Sequence, residues 1–384
     1  MHTTSSLDSH WPALVSVLSG TLDLDLTARQ SGALRRRRAV ADGATLLRLA
    51  LAYGPGGLSL RSAAAWAGVQ GVASLSDVAL MKRLRGAADW LGLVAGALLS
   101  GASPTITPLA GRPLRIVDGS AIAQPGSAGT DWRLHATYDP KAARFVHLEL
   151  TDAHGAEGFA RAAVAPGDVV LADRCYARPL GLQHVLAAHA DFIVRIGWSS
   201  LRLVTAAGKP LDWEPIYASL APGEIAEREV SVEHAGTGGK RRGKPLLRAR
   251  LIVMRKDQAA SARTEKAVRR SHSRRRTHSA LQPLTIAAAG FLMVLTSLPP
   301  EAAPAADVLA AYRLRWQIEL AFKRLKSGLG IDQLRAKDGR LARTWLLAHL
   351  IVALLIDEAV QDVLDSPPCT PAWPHAADLP VATA

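Results

Sequence analysis

The chain has little of what would tie it to an oxidising compartment, a nucleotide cofactor or a membrane. Among its 384 residues there are two cysteines, Cys175 and Cys369. That is too few for a disulfide framework, and no C-x2-C pair marks a zinc site. The usage fits a reducing cytosol. No P-loop and no G-x-G-x-x-G occurs, so neither ATP nor another nucleotide cofactor is implied. No charged-then-apolar leader opens the chain. The longest apolar run, Trp345 to Ile356, falls short of the roughly 20 residues that cross a bilayer and contains His349. It reads as a buried helix, and no membrane partner is expected.

Acidic residues are also in deficit: 46 Lys and Arg against 33 Asp and Glu leave a net charge of +13. The excess has an address. Between Lys240 and Arg276 stand fifteen Lys or Arg against Asp257 and Glu265, and fifteen minus two equals that whole surplus. Such a concentration suggests a polyanion, most simply nucleic acid. With 49% hydrophobic residues the chain is globular, with one large core or two to three smaller ones.

Read in order, the chain opens with a short helix from about Trp11 to Leu18 and little else before the run Arg35 to Arg38. Those four arginines precede ADGATLLRLALAY, a helical pattern. A second helix starts at Ser59 as N-cap, and Ser76 caps a third over DVALMKRLRGAADWLGLVAGALL, carrying Lys82, Arg83 and Arg85. Helices joined by a short Gly-containing turn permit a helix-turn-helix. A Pro/Gly-rich linker follows at 101–113. RIVDGSAI, DWRLHATYDP and RFVHLELTD are strand-like, VVLADR is an apolar run ending in Asp173, and a helical stretch leads to the strand DFIVRIG. From 199 to about 296 further strands surround the basic segment, which is read as a solvated loop or polyanion contact.

The late stretch YRLRWQIELAFKRLK reads as one helix from Tyr312 to Lys326, with no Gly or Pro inside. At about 100° per residue, Tyr312, Arg315, Glu319 and Lys326 fall within a stripe of roughly 60°. A solvated face with an i,i+4 Arg–Glu pair would look the same. Two upstream aspartates, Asp118 in RIVDGSAI and Asp173 in VVLADRCY, sit where a strand-borne metal site needs them. Two divalent metals about 3.5–4 Å apart would activate water, stabilise the leaving oxygen and neutralise charge at phosphorus. Three carboxylates suffice for magnesium.

These motifs resemble the DDE transposases of bacterial insertion sequences, in particular the IS-four family with its Y-R-E-K signature. The likeness extends to SLRSAAAWAG, LSDVALMKRLRGAADWL and DFIVRI. It implies an α/β fold with an RNase H-like core, a mixed five-stranded sheet with helices. A mostly β insertion would interrupt that core, and an α-helical N-terminal domain would precede it. The expected segments are 1–105 for that DNA-binding domain, 112–198 and 301–365 for the core, 199–300 for the insertion and 366–384 for a disordered tail. The resemblance makes Asp118, Asp173 and Glu319 catalytic ligands of two Mg2+ ions, for which Mn2+ substitutes. Arg315 and Lys326 would grip DNA phosphates, Tyr312 would hydrogen-bond the same backbone, and Arg174 and Tyr176 match the family's D-R-G-Y motif.

Cys175 stands where that motif has Gly; a positive φ there would cost roughly 1 kcal/mol, whereas an ordinary φ would tolerate a small side chain. The partners implied are double-stranded DNA, as element ends and target, and a second copy of the chain in the DNA complex, in the bacterial cytoplasm. Two rivals share these residues: a non-catalytic DNA-binding relic and a metal-dependent nuclease without strand transfer. His135, His147 and His154 lack paired ligand spacing. Asp139, Glu149, Asp152 and Glu157 could support the site from behind its ligands but are read mainly as turn or surface groups; Trp198, Trp213 and Trp316 could stack a displaced base but are read as core.

Overall fold

The helices of the N-terminal segment form where capping side chains precede apolar periodic stretches. The structure, a computed structural model, describes residues 11–100, 109, 111–140, 144–234, 245–274 and 280–365, apart from 37, 128, 324, 327 and 328. Cys369, the expected disordered tail and most of the linker lie outside the described residues. Helices α1 (Trp11–Thr21) and α2 (Leu24–Gln30) come first, the second unanticipated and capped by Asp23, which accepts from the Asp25 and Leu26 amides. Asp42 caps α3 (Gly43–Tyr53), so the arginine run lies ahead of the helix and not in its first turn. Ser59 and Ser76 cap α4 (Leu60–Val69) and α5 (Asp77–Arg85), as read from sequence. Each such cap contributes about 1 kcal/mol. The long third helix is in fact two, because the chain breaks at Gly86 before α6 (Ala88–Ser100).

The strands are β1 (Leu114–Ile122), β2 (Trp132–Asp139), β3 (Arg144–Asp152), β4 (Val169–Ala172) and β5 (Asp191–Arg195), with α7 (Pro179–Ala187) before the last. All five match the sequence expectation to within two residues. They do not stand alone. β6 (Leu203–Val204), β7 (Ile225–Glu233), β8 (Pro245–Arg255) and β9 (Phe291–Thr296) continue the same sheet, giving one nine-stranded order β3-β2-β1-β4-β5-β9-β8-β7-β6. The expected five-stranded sheet with a separate β insertion is corrected accordingly. β9 pairs antiparallel with β5, Ile193 against Thr296 and Val194 against Leu295. The free edge of β5 would otherwise expose unpaired amides and carbonyls. Thr296 locks the seam by donating its hydroxyl to the Phe192 carbonyl at 2.8 Å.

Strand alternation sends the two faces to different cores. One face, with Leu114, Ile116, Ile122, Val169 and Leu171, shares a core with the N-terminal helices and with α13 (Gly339–Asp365). The other, with Val170, Phe192, Val194, Leu251 and Val253, is covered by α7 and by α8 (Glu214–Ala218). α13 is long and apolar enough to cross a membrane by length and composition, but 72% of that window is buried inside the protein. Its apolar surface is spent on α3 and α6 and on the sheet.

The basic segment is not a loop over its described part. Gln258–Arg274 forms α9, a 17-residue helix with no buried residue. Alanines and an Arg269–Glu265 pair one turn apart account for it. The short α10 (Pro283–Ala288) leads into β9. Beyond it, the single late helix expected from sequence is divided into α11 (Ala305–Arg313) and α12 (Trp316–Lys323). At the break the amides of Leu314 and Arg315 bond carbonyls three residues back, Ala311 and Tyr312. That tighter 3-10 turn re-aims the chain without any Gly or Pro.

Candidate active site

Parallel pairing of β1 with β4 sets the site. Leu114 aligns with Val169 and Val117 with Ala172, so one residue further Asp118 stands beside Asp173, at the strand spacing of about 4.8 Å. Asp118 shares a face with Ile116 and Ile122. Asp173 leaves the strand as N-cap of a 3-10 turn, Arg174–Tyr176, its Oδ1 accepting from the Cys175 amide at 2.7 Å. Asp118 Oδ1 accepts from the Gly119 amide at 2.8 Å.

Burial pushes the Asp118 carboxyl up to about 6. The Gly119 amide and Arg315 pull against that, while the Asp173 and Glu157 carboxylates add to it. This is a crowded acidic strand end, with Arg315 the described cation paired to Asp118. Arg315, placed by the turn before α12, lies 3.7 Å from Asp118 Oδ2 and donates to Glu319 Oε1 one turn along the helix. Tyr312 packs above, mostly buried, its ring centre 6.0 Å from the guanidinium carbon. Lys326 lies in a π turn past α12, half-buried, and Arg174 is exposed beside Asp173.

The expected residues are therefore not equally assembled. Asp118, Asp173, Arg315 and Tyr312 converge, while Glu319 is 55% exposed and held by Arg315. Among the described residues no three His, Cys, Asp or Glu side chains form a ready metal site. The pair Asp118 and Asp173 still fits a hard cation: all-oxygen donors on adjacent strands, one of them raised by burial and by its acidic neighbours.

Tyr176 is a correction. It is 1% exposed, with its ring 5.3 Å from Phe159 and its hydroxyl without a hydrogen-bond partner. A side chain so buried reaches no DNA backbone; it supports the Asp173 turn from behind. At Cys175 the milder of the two expectations holds, since among the described residues only His189 has a positive φ outside glycine. The thiol is exposed and the turn accepts it without strain.

Glu157 is the neighbour that sequence reasoning set aside. A Cβ on Gly119 would come within 2.9 Å of Glu157 Cγ, so only glycine admits this carboxylate behind Asp118. Arg133 Nε steadies it at 3.4 Å. A loop glutamate carries no periodic signal that would have revealed the approach. Trp316, expected in the core, is 52% exposed on α12.

Comparison with known proteins gives this arrangement its class. Residues 109–355 match the transposase DDE domain. The chain is 44% identical over 364 residues to InsL of insertion sequence element IS186A of Escherichia coli (strain K12), covering 94% of this chain and 96% of that protein. It is 44% identical over 365 residues to the transposase for insertion sequence element IS421 of Escherichia coli, again covering 94% and 96%. A piggyBac transposase synaptic complex with hairpin DNA aligns with 92% of this chain and 80% of its own at 8% identity and TM-score 0.38, too distant to carry over any residue. The chain belongs to the DDE transposases, and within them to those of bacterial insertion sequences. DNA strand cleavage and strand transfer are the chemistry of that family.

Proposed function

We propose that this transposase binds the inverted-repeat ends of its insertion sequence, hydrolyses a strand to leave a 3′-hydroxyl, and joins that end to target DNA. Asp118, Asp173 and Glu319 act as the catalytic carboxylates. The observation that carries this reading is the register-fixed adjacency of Asp118 and Asp173 beneath the Arg315–Glu319 pair. The strand order β3-β2-β1-β4-β5, with β4 and β5 parallel to β1, supports an RNase H-like core at the heart of the larger sheet.

Asp118, Asp173 and Glu319 would hold two Mg2+ ions, or Mn2+ in their place, which when bound supply an activated water and neutralise the phosphate. Glu319 must leave Arg315 to join them, and that exchange frees the guanidinium for a bidentate phosphate contact. Lys326 adds a point charge, Tyr312 a phenol hydrogen bond, and Arg174 a cation on the exposed side of Asp173. α4 and α5 form the helix pair suited to a DNA groove, and a homodimer brings two ends together, as the resemblance implies. A bacterial cytoplasmic location follows from the DNA partner. The ordinary backbone at Cys175 supports this reading over a non-catalytic relic.

The test is Mg2+- or Mn2+-dependent cleavage of a labelled element end by the parent and by Glu319→Gln. Cleavage by the parent alone, with end binding retained in both, is expected. Equal cleavage by both would sink the role of Glu319, and binding without cleavage in either would favour the relic. A supercoiled target then separates a transposase from a nuclease by the presence of joined product.

A further inference from the structure

We infer that a cleft between the N-terminal helices and the start of α13 is a second phosphate-binding surface for double-stranded DNA, distinct from the stripe that carries Arg315 and Lys326. The inference rests on DNA being the substrate but not on the identity of the catalytic carboxylates. The cleft measures about 850 Å3 and is lined by Arg35, Lys82, Arg83, Arg85, Arg340 and Arg343, with the acids Asp89 and Asp152 in the lining and Asp338 beside it. Three stretches of chain supply those cations, and nothing in the sequence links Arg340 and Arg343 to the others.

Local contacts do not account for them. Arg85 pairs with Asp338 at 3.0 Å and Arg343 with Asp89 at 3.3 Å, both at the surface where such pairs contribute little. Arg83 donates to the Arg36 carbonyl at 2.9 Å, a neutral partner, and among the described residues no carboxylate is paired with it. Arg340 and Arg343 sit at the beginning of α13, whose positive pole is already met by Asp338, accepting from the Leu341 amide at 3.0 Å. That one carboxylate also serves Arg85. A bound anion relieves the mutual repulsion of the remaining cations.

The position argues for a duplex over a small anion. Trp132 and Asp152 line the cleft, and the ladder pairs Trp132 with Ile122 on one side and with Asp152 on the other. Ile122 is four residues beyond Asp118 on β1, an even count, so cleft and carboxylate share one face of the sheet. At about 3.3 Å per residue Ile122 is roughly 13 Å along β1 from Asp118, and Trp132 lies one strand, about 5 Å, to its side. Duplex DNA carries a charge about every 1.7 Å of its axis. A duplex seated at Asp118 and running past the end of β1 therefore presents phosphates to the cleft.

The test uses the full chain and short duplexes without metal, measuring affinity against salt by fluorescence anisotropy. The variants are Arg340→Gln/Arg343→Gln and, on separate elements, Arg35→Gln/Lys82→Gln. For every phosphate no longer neutralised, the slope of log K against log salt should fall by about 0.9. The effect should be the same for an element end and an unrelated sequence, and Arg340→Lys/Arg343→Lys should restore most of the slope. Unchanged slopes in both Gln pairs would overturn the inference, and would also be the outcome if the cleft served another anionic partner. Thermal melting checks each variant; should one Gln pair unfold, the other pair and the Lys pair decide. Because no metal is present, failure of the cleavage reading leaves this measurement unaffected.

Discussion

Arg315 lies 3.7 Å from Asp118, among the described residues the one cation paired with that carboxylate, while also holding Glu319. One guanidinium thus occupies the place between two of the three acids expected to act together. Replacing it should do more than remove a phosphate contact. Arg315→Ala leaves Asp118 crowded by Asp173 with no compensating charge, and frees Glu319. Single-turnover cleavage of an element end should fall about 100-fold, the usual effect of losing one preorganised charge partner. Arg315→Lys should recover part of it. Cleavage at the parental rate in Arg315→Ala would show that the guanidinium has no part in the reaction.

Burial at Asp118 makes a stability prediction with a definite sign. Its folded-state pKa is about 6 against an ordinary 3.8. The folded protein therefore binds the proton more tightly than the unfolded chain, and stability declines as pH rises from about 4 to about 6. Above that window the full cost of the buried charge is present. Asp118→Asn removes it. In metal-free buffer at pH 7.5 the variant should gain about 3 kcal/mol, while near pH 3.5 it should match the parent. Thermal or denaturant unfolding at both pH values checks this, and a loss of stability at pH 7.5 would contradict it. A protein that gains stability by losing a carboxylate is retaining that group for function.

The site was legible to the extent that it lies on regular strands. β-Branched residues and turn signals mark β1 to β5, and the two aspartates stand at definite places along them. What the sequence leaves open is long-range. That β9 would pair with β5 and fuse the insertion to the core depends on an edge needing a partner, not on any local pattern. The break at Leu314 and Arg315 has no Gly or Pro to announce it. The burial of Tyr176 depends on Phe159, which no motif connects to it. α9 carries good helix formers, but its charge drew attention to partners and away from propensity.

Cys175 offers a prediction opposite to the one its position in the motif suggests. Since the turn after Asp173 needs no positive φ, restoring glycine removes nothing unfavourable. Cys175→Gly should leave cleavage within about twofold of the parent. It should also lower stability by about 0.5–1 kcal/mol, through the greater freedom of glycine in the unfolded chain. A large gain in cleavage would mean that the thiol, and not backbone strain, limits the site.

Gly119 is where a glycine matters, and the reason is its neighbour. Its backbone is ordinary strand, so Ala meets no conformational barrier; the obstacle is the Glu157 side chain 2.9 Å from where a Cβ would be. Gly119→Ala must therefore displace either that carboxylate or β1 itself, and a shift of β1 moves Asp118. Overpacking of this kind costs about 1–3 kcal/mol. The double variant Gly119→Ala/Glu157→Ala opens the space again, so its stability should exceed the sum of the single effects by about 1 kcal/mol or more. If cleavage returns along with stability, Glu157 acts only by occupying space behind the strand. If stability returns and cleavage does not, the Glu157 carboxylate itself contributes to the charge that Asp118 and Asp173 present to DNA. Strict additivity of the two substitutions would mean that Glu157 and Gly119 are not in contact in solution.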